Sequence, residues 1–318
     1  MRNSFYFLET ECKSTEFYLN STNTGSKATK PVMMILVKTI LHLDKYLQLF
    51  RSFHKKTGFV PTMGALHPGH ISLIDQSRLE NDVTVCSIFV NPTQFNNPAD
   101  FEKYPVSIGK DIEMLENAGC DLLFMPSTDE MYPADDPVIH YDLGFIETIL
   151  EGKYRPGHFQ GVCRIVDKLL NAVKPDTIYM GRKDYQQCMV VNKMMQLRNH
   201  AARLQVCDTV RAPDGLALSS RNMRLTADER IEALHIIKTL VSLRAALKPG
   251  DLKKLKENAV KHLEQNGFKV DYVSIADAAS LQEADDWDGQ QPLVGLIAAF
   301  LKEVRLIDNL ALTVSANE

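Results

Sequence analysis

The chain is predicted to fold as an open, doubly wound parallel α/β sheet followed by a smaller α+β domain. Three observations carry this expectation. Short apolar strands alternate with helix-length amphipathic segments from residue 34 to about 209. VTVCSIFV (83–90) is almost continuously apolar and rich in β-branched residues, as in a strand covered on both faces. After residue 210 two longer helical patterns precede strand-like runs, which breaks the alternation. The 318 residues are 45% hydrophobic and 24% charged, enough to divide between two cores.

In order, MILVKTI (34–40) reads as a strand and LHLDKYLQLFRSFHKK (41–56) as a helix with Leu43, Tyr46, Leu47 and Phe50 on one face. TGFVPTMG is a strand entering a glycine turn, and GHISLIDQSRLEN the helix after it. SIGKDIEMLENAG (helix), CDLLFMPS (strand), VCRIVDKLLNAV (helix), DTIYMG (strand), DYQQCMVVNKMMQLRN (helix) and ARLQVCDTV (strand) continue the pattern. RAPDGLALSSRN is a turn-rich junction. TADERIEALHIIKTLVSLRAAL and DLKKLKENAVKHLEQNG are helices of the second domain, and FKVDYVSIAD and QPLVGLIAAFLKE its strands. The expected division is an unstructured extension or misplaced start over 1–33, with Met33 or Met34 as candidate starts, an α/β ligand-binding domain over 34–209 and an α+β lid domain over 210–318.

A formal net charge of −4 gives no general basic surface for nucleic acid or anionic membrane. The apolar run at 31–37 falls far short of a membrane span. Six scattered cysteines without a CxxC pair argue against a zinc ribbon and for a reduced, cytoplasmic setting.

In an open parallel sheet, ligands bind beyond the carboxyl ends of the strands, where the polar, glycine-bearing segments fall. MGALHPGH (63–70) carries His67 and His70, with Gly69 at an expected helix start whose free N–H groups suit an anion. It lacks the GxxxxGK[ST] and HExxH patterns of phosphate loops and zinc sites. NPTQFNN offers Asn91, Gln94 and Asn96, uncharged groups suited to hydroxyl and carboxylate recognition. GRKDYQQ places Arg182 and Lys183 ahead of a helix, with Asp184 as cap or metal neighbour and Gln187 on the same side. EGKYRPGHFQG, with Lys153, Arg155 and His158, reads as a cationic lip or lid, and ALSSRN as a phosphate clamp at the domain junction. Each segment also reads as an ordinary polar turn; together they point to a nucleotide or phosphorylated ligand.

In their order and spacing, PTMGALHPGH, SIFVNPTQF, LEGKYRPGHFQGV, GRKDYQQ, DGLALSSRN and RLIDN resemble the pantothenate synthetase (pantoate–β-alanine ligase) family from about residue 34 onward. The resemblance implies a Rossmann-like sheet of the HxGH nucleotidyl-transferase type. It also implies ATP-dependent joining of pantoate to β-alanine through a pantoyl-adenylate, with Mg2+, in a homodimer. By position it implies that Met63, Gly64, Ala65, Leu66, His67, Pro68, Gly69 and His70 hold ATP together with Arg155, His158, Gly181, Arg182, Lys183, Asp184, Val210, Leu218, Ser219, Ser220 and Arg221. His70, as the usual proton donor, His67, Lys183, Ser219, Ser220 and Arg221 would be catalytic. Gln94, Gln187 and Asn91 would serve pantoate and β-alanine, and Asp111 the magnesium. Two positions depart from the family pattern: Arg182 replaces Glu or Gln, and Val106 replaces the arginine of YPRT. A nucleotidylyltransferase on a related fold and a non-catalytic nucleotide-binding regulator are the alternatives.

Overall fold

The structure is a computed structural model and describes residues 34–96 and 98–313. The extension expected over 1–33 lies outside the described residues. Six parallel strands form the main sheet: β1 (Ile35–Val37), β2 (Thr57–Thr62), β3 (Val83–Ile88), β4 (Leu122–Phe124), β5 (Thr177–Gly181) and β6 (Arg203–Cys207). Their order is β1-β4-β3-β2-β5-β6. The chain winds one way from β2 through β3 to β4, then the other way through β5 and β6. The reversal therefore lies between β2 and β5, and a crevice opens at their carboxyl ends.

Successive side chains of a strand point to opposite faces, and both faces here are covered. Phe59, Val85, Leu122, Phe124 and Ile178 enter one core with α1 (Ile40–Ser52) and the helices His158–Val173 and Tyr185–Leu197. Val60, Cys86, Leu123 and Tyr179 enter the other with α2 (Pro68–Glu80) and the helix Ile108–Ala118. The two-sided burial explains the unbroken apolar runs.

The second unit has its own core, drawn from Leu216 to Leu312. Helix Ala227–Ala246 starts at a capping box in which Thr226 and Glu229 satisfy each other's backbone N–H. With helix Lys253–Gln265 it covers an antiparallel sheet of Phe268–Asp277, Leu293–Leu301 and Val304–Ala311. The last strand is absent from the sequence reading because its polar Arg305, Asp308 and Asn309 interrupt any apolar run. A second difference is at EGKYRPGHFQG: instead of one loop it forms a short helix, Leu150–Tyr154, and the start of the long His158–Val173 helix. Gly157, at φ 80°, supplies the left-handed step between them. No helix among the described residues is long and apolar enough to cross a membrane.

The two units meet at Glu151. Arg305 grips its carboxylate at both oxygens (2.7 and 2.8 Å), Tyr272 donates its hydroxyl at 2.9 Å, and Arg305 also reaches Asp271. Burial alone would raise the Glu151 pKa, but the Arg305 hydrogen bonds and charge, helped by Arg155, hold it down at about 2. Glu151→Ala leaves Arg305 buried with only Asp271 to pair with. The expected loss is about 3–5 kcal/mol of docking stability, seen as an earlier urea transition of the second unit. Coincident transitions unchanged from the native protein would refute it.

Candidate active site

A cavity of about 240 Å³ occupies the crevice at the β2/β5 reversal, and an adjoining one of about 370 Å³ runs between the two units. Arg155, Lys183, Asp184, Ser219 and Arg221 lie along both. Of the residues singled out in the sequence, Met63, His67, Gly69, His70, Asn91, Gln94, His158, Gly181, Gln187, Val210, Leu218 and Ser220 also line the smaller cavity. Gly64, Ala65, Leu66, Pro68, Arg182 and Asp111 do not line either cavity.

The MGALHPGH turn follows β2 directly. His67 caps α2: its Nδ1 accepts from the Gly69 N–H at 3.1 Å, and His70 Nδ1 accepts from the His67 N–H at a longer 3.4 Å. Both acceptor nitrogens are on the δ side, so each ring carries its proton on Nε2. Pro68 occupies the first helical turn, where no N–H is needed. A Cβ on Gly69 would sit 2.9 Å from the His67 ring, so glycine is the residue this cap geometry admits. Burial, followed by the positive charge of Lys183, lowers the His67 pKa to about 4. Burial, His67 and Lys183 lower that of His70 to about 3. The pair, with ring centroids 4.0 Å apart, is neutral at physiological pH and presents hydrogen-bond donors rather than cations.

Asp111 lies beneath this turn. Its oxygens accept from the Ala65 and Leu66 N–H groups, both at 2.8 Å, and from the Ser107 hydroxyl at 2.9 Å. It is buried and does not reach the crevice, so the magnesium role implied for it does not match its position. Its visible work is to hold a backbone in which Gly64 and Ala65 both have positive φ. Ser220 braces the same turn from the second unit, its hydroxyl donating to the Ala65 carbonyl at 3.0 Å.

The expected cationic pair at 182–183 splits. Lys183 faces inward beside Asp184 (3.5 Å), whereas Arg182 turns to the rim, 44% exposed, and pairs with Asp208 at 3.0 Å. Lys183 and Asp184 thus face the crevice together, and Arg182 is the residue of the turn that points away from it. His158 is also committed: Nε2 accepts from Arg155 (3.1 Å), so Nδ1–H donates to the Gln94 carbonyl (2.8 Å). Burial, then Arg155, lowers its pKa to about 3. Asn91 is fully engaged, its amide donating to Gln94 Oε1 and the Gly161 carbonyl while Tyr132 and Thr93 donate to its oxygen. Its hydrogen bond to Oε1 holds the Gln94 side chain at the cavity wall.

Asp100 and Arg224 were not singled out in the sequence. Asp100 accepts from Arg221 at 2.8 Å and Arg224 at 3.0 Å, while Arg221 lies over the Tyr104 ring. Asn309, also not singled out, donates from the last strand to the Arg182 and Lys183 carbonyls. RLIDN was marked as a motif, but no sequence signal shows which loop a strand 126 residues away will touch. Val106, the other departure, is 71% exposed on the loop beside Tyr104.

His67, His70 and His158 take up protons in the folded chain only near pH 3–4, whereas an unfolded histidine does so near 6.5. As pH falls below 6.5 the unfolded chain gains protons that the folded chain does not, so stability falls. Each histidine contributes a slope approaching about 1.4 kcal/mol per pH unit. Glu151 joins only below about 4.5. Urea midpoints are expected to drop from about pH 6.5 to about pH 5, with a shallower drop in His70→Gln; equal slopes in the two proteins would refute the assignment.

A family profile described as pantoate-beta-alanine ligase matches residues 35–311. The pantothenate synthetase of Bacteroides thetaiotaomicron is 44% identical over 280 residues, spanning 87% of this chain and 98% of that one. That of Cytophaga hutchinsonii is 41% identical over 88% of this chain and 99% of its own. The crystal structure of pantothenate synthetase from Thermus thermophilus superposes with a TM-score of 0.81 at 37% identity, covering 88% of this chain and 99% of that one. A pantoate-beta-alanine ligase from Francisella tularensis, complexed with beta-gamma ATP and beta-alanine, gives 0.71 at 37% identity, over 89% and 99% of the two chains. With its crevice, its paired histidines and this length of match, the chain belongs to the pantoate–β-alanine ligase family.

Proposed function

We propose that this chain condenses pantoate with β-alanine at the expense of ATP, releasing pantothenate, AMP and pyrophosphate. The carrying observation is the convergence, at the β2/β5 reversal, of two neutral imidazole donors and Lys183 on the same crevice as Gln94 and Gln187. Polyphosphate donors and uncharged groups suited to a hydroxy acid thus share one cavity.

A pantoate carboxylate oxygen attacks the α-phosphorus, the bond to the bridging oxygen breaks, and pyrophosphate leaves. His67 and His70 donate Nε2–H to phosphate oxygens, and Lys183 adds positive charge. His70 acts as a neutral hydrogen-bond donor; an imidazolium proton donor would need a pKa far above about 3. Ser219 faces the phosphates, while Arg221 must exchange Asp100 for a phosphate oxygen to join it. The deprotonated amine of β-alanine then attacks the acyl carbon, AMP departs, and the nitrogen loses a proton. No protein atom becomes covalently attached, so positioning does most of the work.

Magnesium enters this scheme with ATP. Among the described residues no cluster of three or more His, Cys, Asp or Glu is arranged to hold a metal; bound with ATP, the ion would supply positive charge to the phosphates. Asp184, beside Lys183 in the cavity wall, is the carboxylate we assign to its neighbourhood in place of Asp111. The buried free thiols of Cys86, Cys120, Cys163 and Cys188 support the cytoplasmic assignment.

With ATP, magnesium, pantoate and β-alanine, AMP and pantothenate are expected in equal amounts, dependent on both acids. An adenylylated product made without consuming β-alanine would indicate a nucleotidylyltransferase. His70→Ala is expected to fold normally and to lose about 10²–10³-fold in adenylate formation; near-native AMP production would refute its role. The homodimer belongs to the same proposal: sedimentation should give twice the chain mass, and a monomer at micromolar concentration would overturn it.

A further inference from the structure

The last strand, Val304–Ala311, belongs to the second unit, yet it turns polar groups onto the first. Residues two apart share a face of a strand, which puts Arg305, Ile307 and Asn309 on one side. Arg305 takes Glu151, Ile307 lines both cavities, and Asn309 reaches the loop after β5. Asn309 is 5% exposed, and its Nδ2 donates to the Arg182 carbonyl at 2.9 Å and the Lys183 carbonyl at 2.8 Å. Its own N–H is held by Asp308 at 2.8 Å, and Asp308 is gripped at both oxygens by Arg211 (2.7 and 3.0 Å). Arg211 also donates to the Gly215 carbonyl, so the anchor belongs to the second unit throughout.

The recipient loop is Arg182–Asp184, one turn of 3-10 helix between β5 and the helix Tyr185–Leu197. The Arg182 and Lys183 carbonyls lie ahead of the N-cap of that helix, Asp184, and are open to a donor from the second unit. One side-chain amide satisfies two in succession and fixes both peptide planes. The direction of the Lys183 side chain follows from those planes.

We propose that Asn309 is a positioning residue for Lys183, so that the adenylation site is complete only when the second unit is docked. This rests on the assignment of Lys183 to the phosphates of ATP. Asn309 touches no reacting atom in this scheme; it acts through the backbone it holds. Removing its amide frees the loop, and Lys183 is then aligned for only part of the time. Misplacement of about 1 Å at a reacting centre costs on the order of 10²-fold in rate.

The test is a double-mutant cycle on the full chain with Asn309→Ala, Lys183→Ala and the pair, read as pantoate-dependent pyrophosphate release. Asn309→Ala is expected to slow this step by about 10- to 100-fold. The KM for β-alanine should stay the same and the melting temperature within a few degrees. In the Lys183→Ala background the same change should have little further effect, because the group it positions is gone. If the two losses multiply instead, Asn309 does not act through Lys183 and the proposal fails. If Lys183→Ala alone leaves pyrophosphate release unchanged, the assignment of Lys183 falls first, which is a distinguishable result. Should Asn309→Ala fail to fold, Asn309→Leu keeps the volume, removes the amide donor without burying a charge, and is expected to show the same loss. Native rates in a folded Asn309→Leu would also overturn the proposal.

Discussion

The orientation in which the two units join is constrained by one buried carboxylate, set beside an apolar contact of Ile146, Ile149 and Leu150 with Ala276, Leu281, Val294 and Leu296. Glu151 sits on a five-residue helix of the first unit, too short to be stable alone, and takes both arms of Arg305 from the second. A charge in that position is tolerable only while its partners are present. The pair therefore works less as a source of net stability than as a condition on geometry: the units dock in the orientation that satisfies Glu151. Gln186 adds to the constraint from beneath, accepting the Glu151 N–H and donating to the Ile146 and Ile149 carbonyls. The walls of the crevice are then set by the same contact, since Arg155 lies 3.6 Å from Glu151 and hydrogen-bonds His158.

The charges around the crevice follow a consistent rule. The histidines are buried beside Lys183 and are neutral as a result. Arg155 faces Glu151, Arg221 faces Asp100 and Lys183 faces Asp184. Cationic side chains are thus held in defined directions by carboxylates that are themselves held, and neutral donors fill the space between. Around His67, His70 and Lys183 such an arrangement is preorganised, whereas Arg221, bound to Asp100, is the group that has to change partner.

The sheet was legible because its strands are covered on both sides and alternate large residues between two cores; Phe59 and Val60, or Leu122 and Leu123, need no knowledge of their partners to read as buried strand. His67 and His70 were legible as two imidazoles flanking Gly69 at an expected helix start; that they also cap this helix was not. What the sequence could not supply was direction and partnership. Arg182 and Lys183 look equivalent as letters, yet one faces solvent and the other the cavity. Asp111 resembles a metal ligand by position, but its oxygens are taken by two peptide N–H groups brought to it by the fold. Arg305 and Asn309 act on residues far away along the chain, and no local pattern encodes that.

The pairing of these cations with nearby carboxylates, Asp100 shared by Arg221 and Arg224 and Glu151 by Arg155 and Arg305, bears on how substrates arrive. A cleft of unpartnered lysines and arginines projects a field that draws in any anion, and its association rate falls steeply with ionic strength. Here the positive groups are largely balanced within a few ångströms, and the chain as a whole carries −4. Fields of that kind fade well inside the screening length of about 8 Å at physiological salt. Capture of a polyanion is then a matter of short-range fit, and dissolved salt has little long-range attraction to weaken.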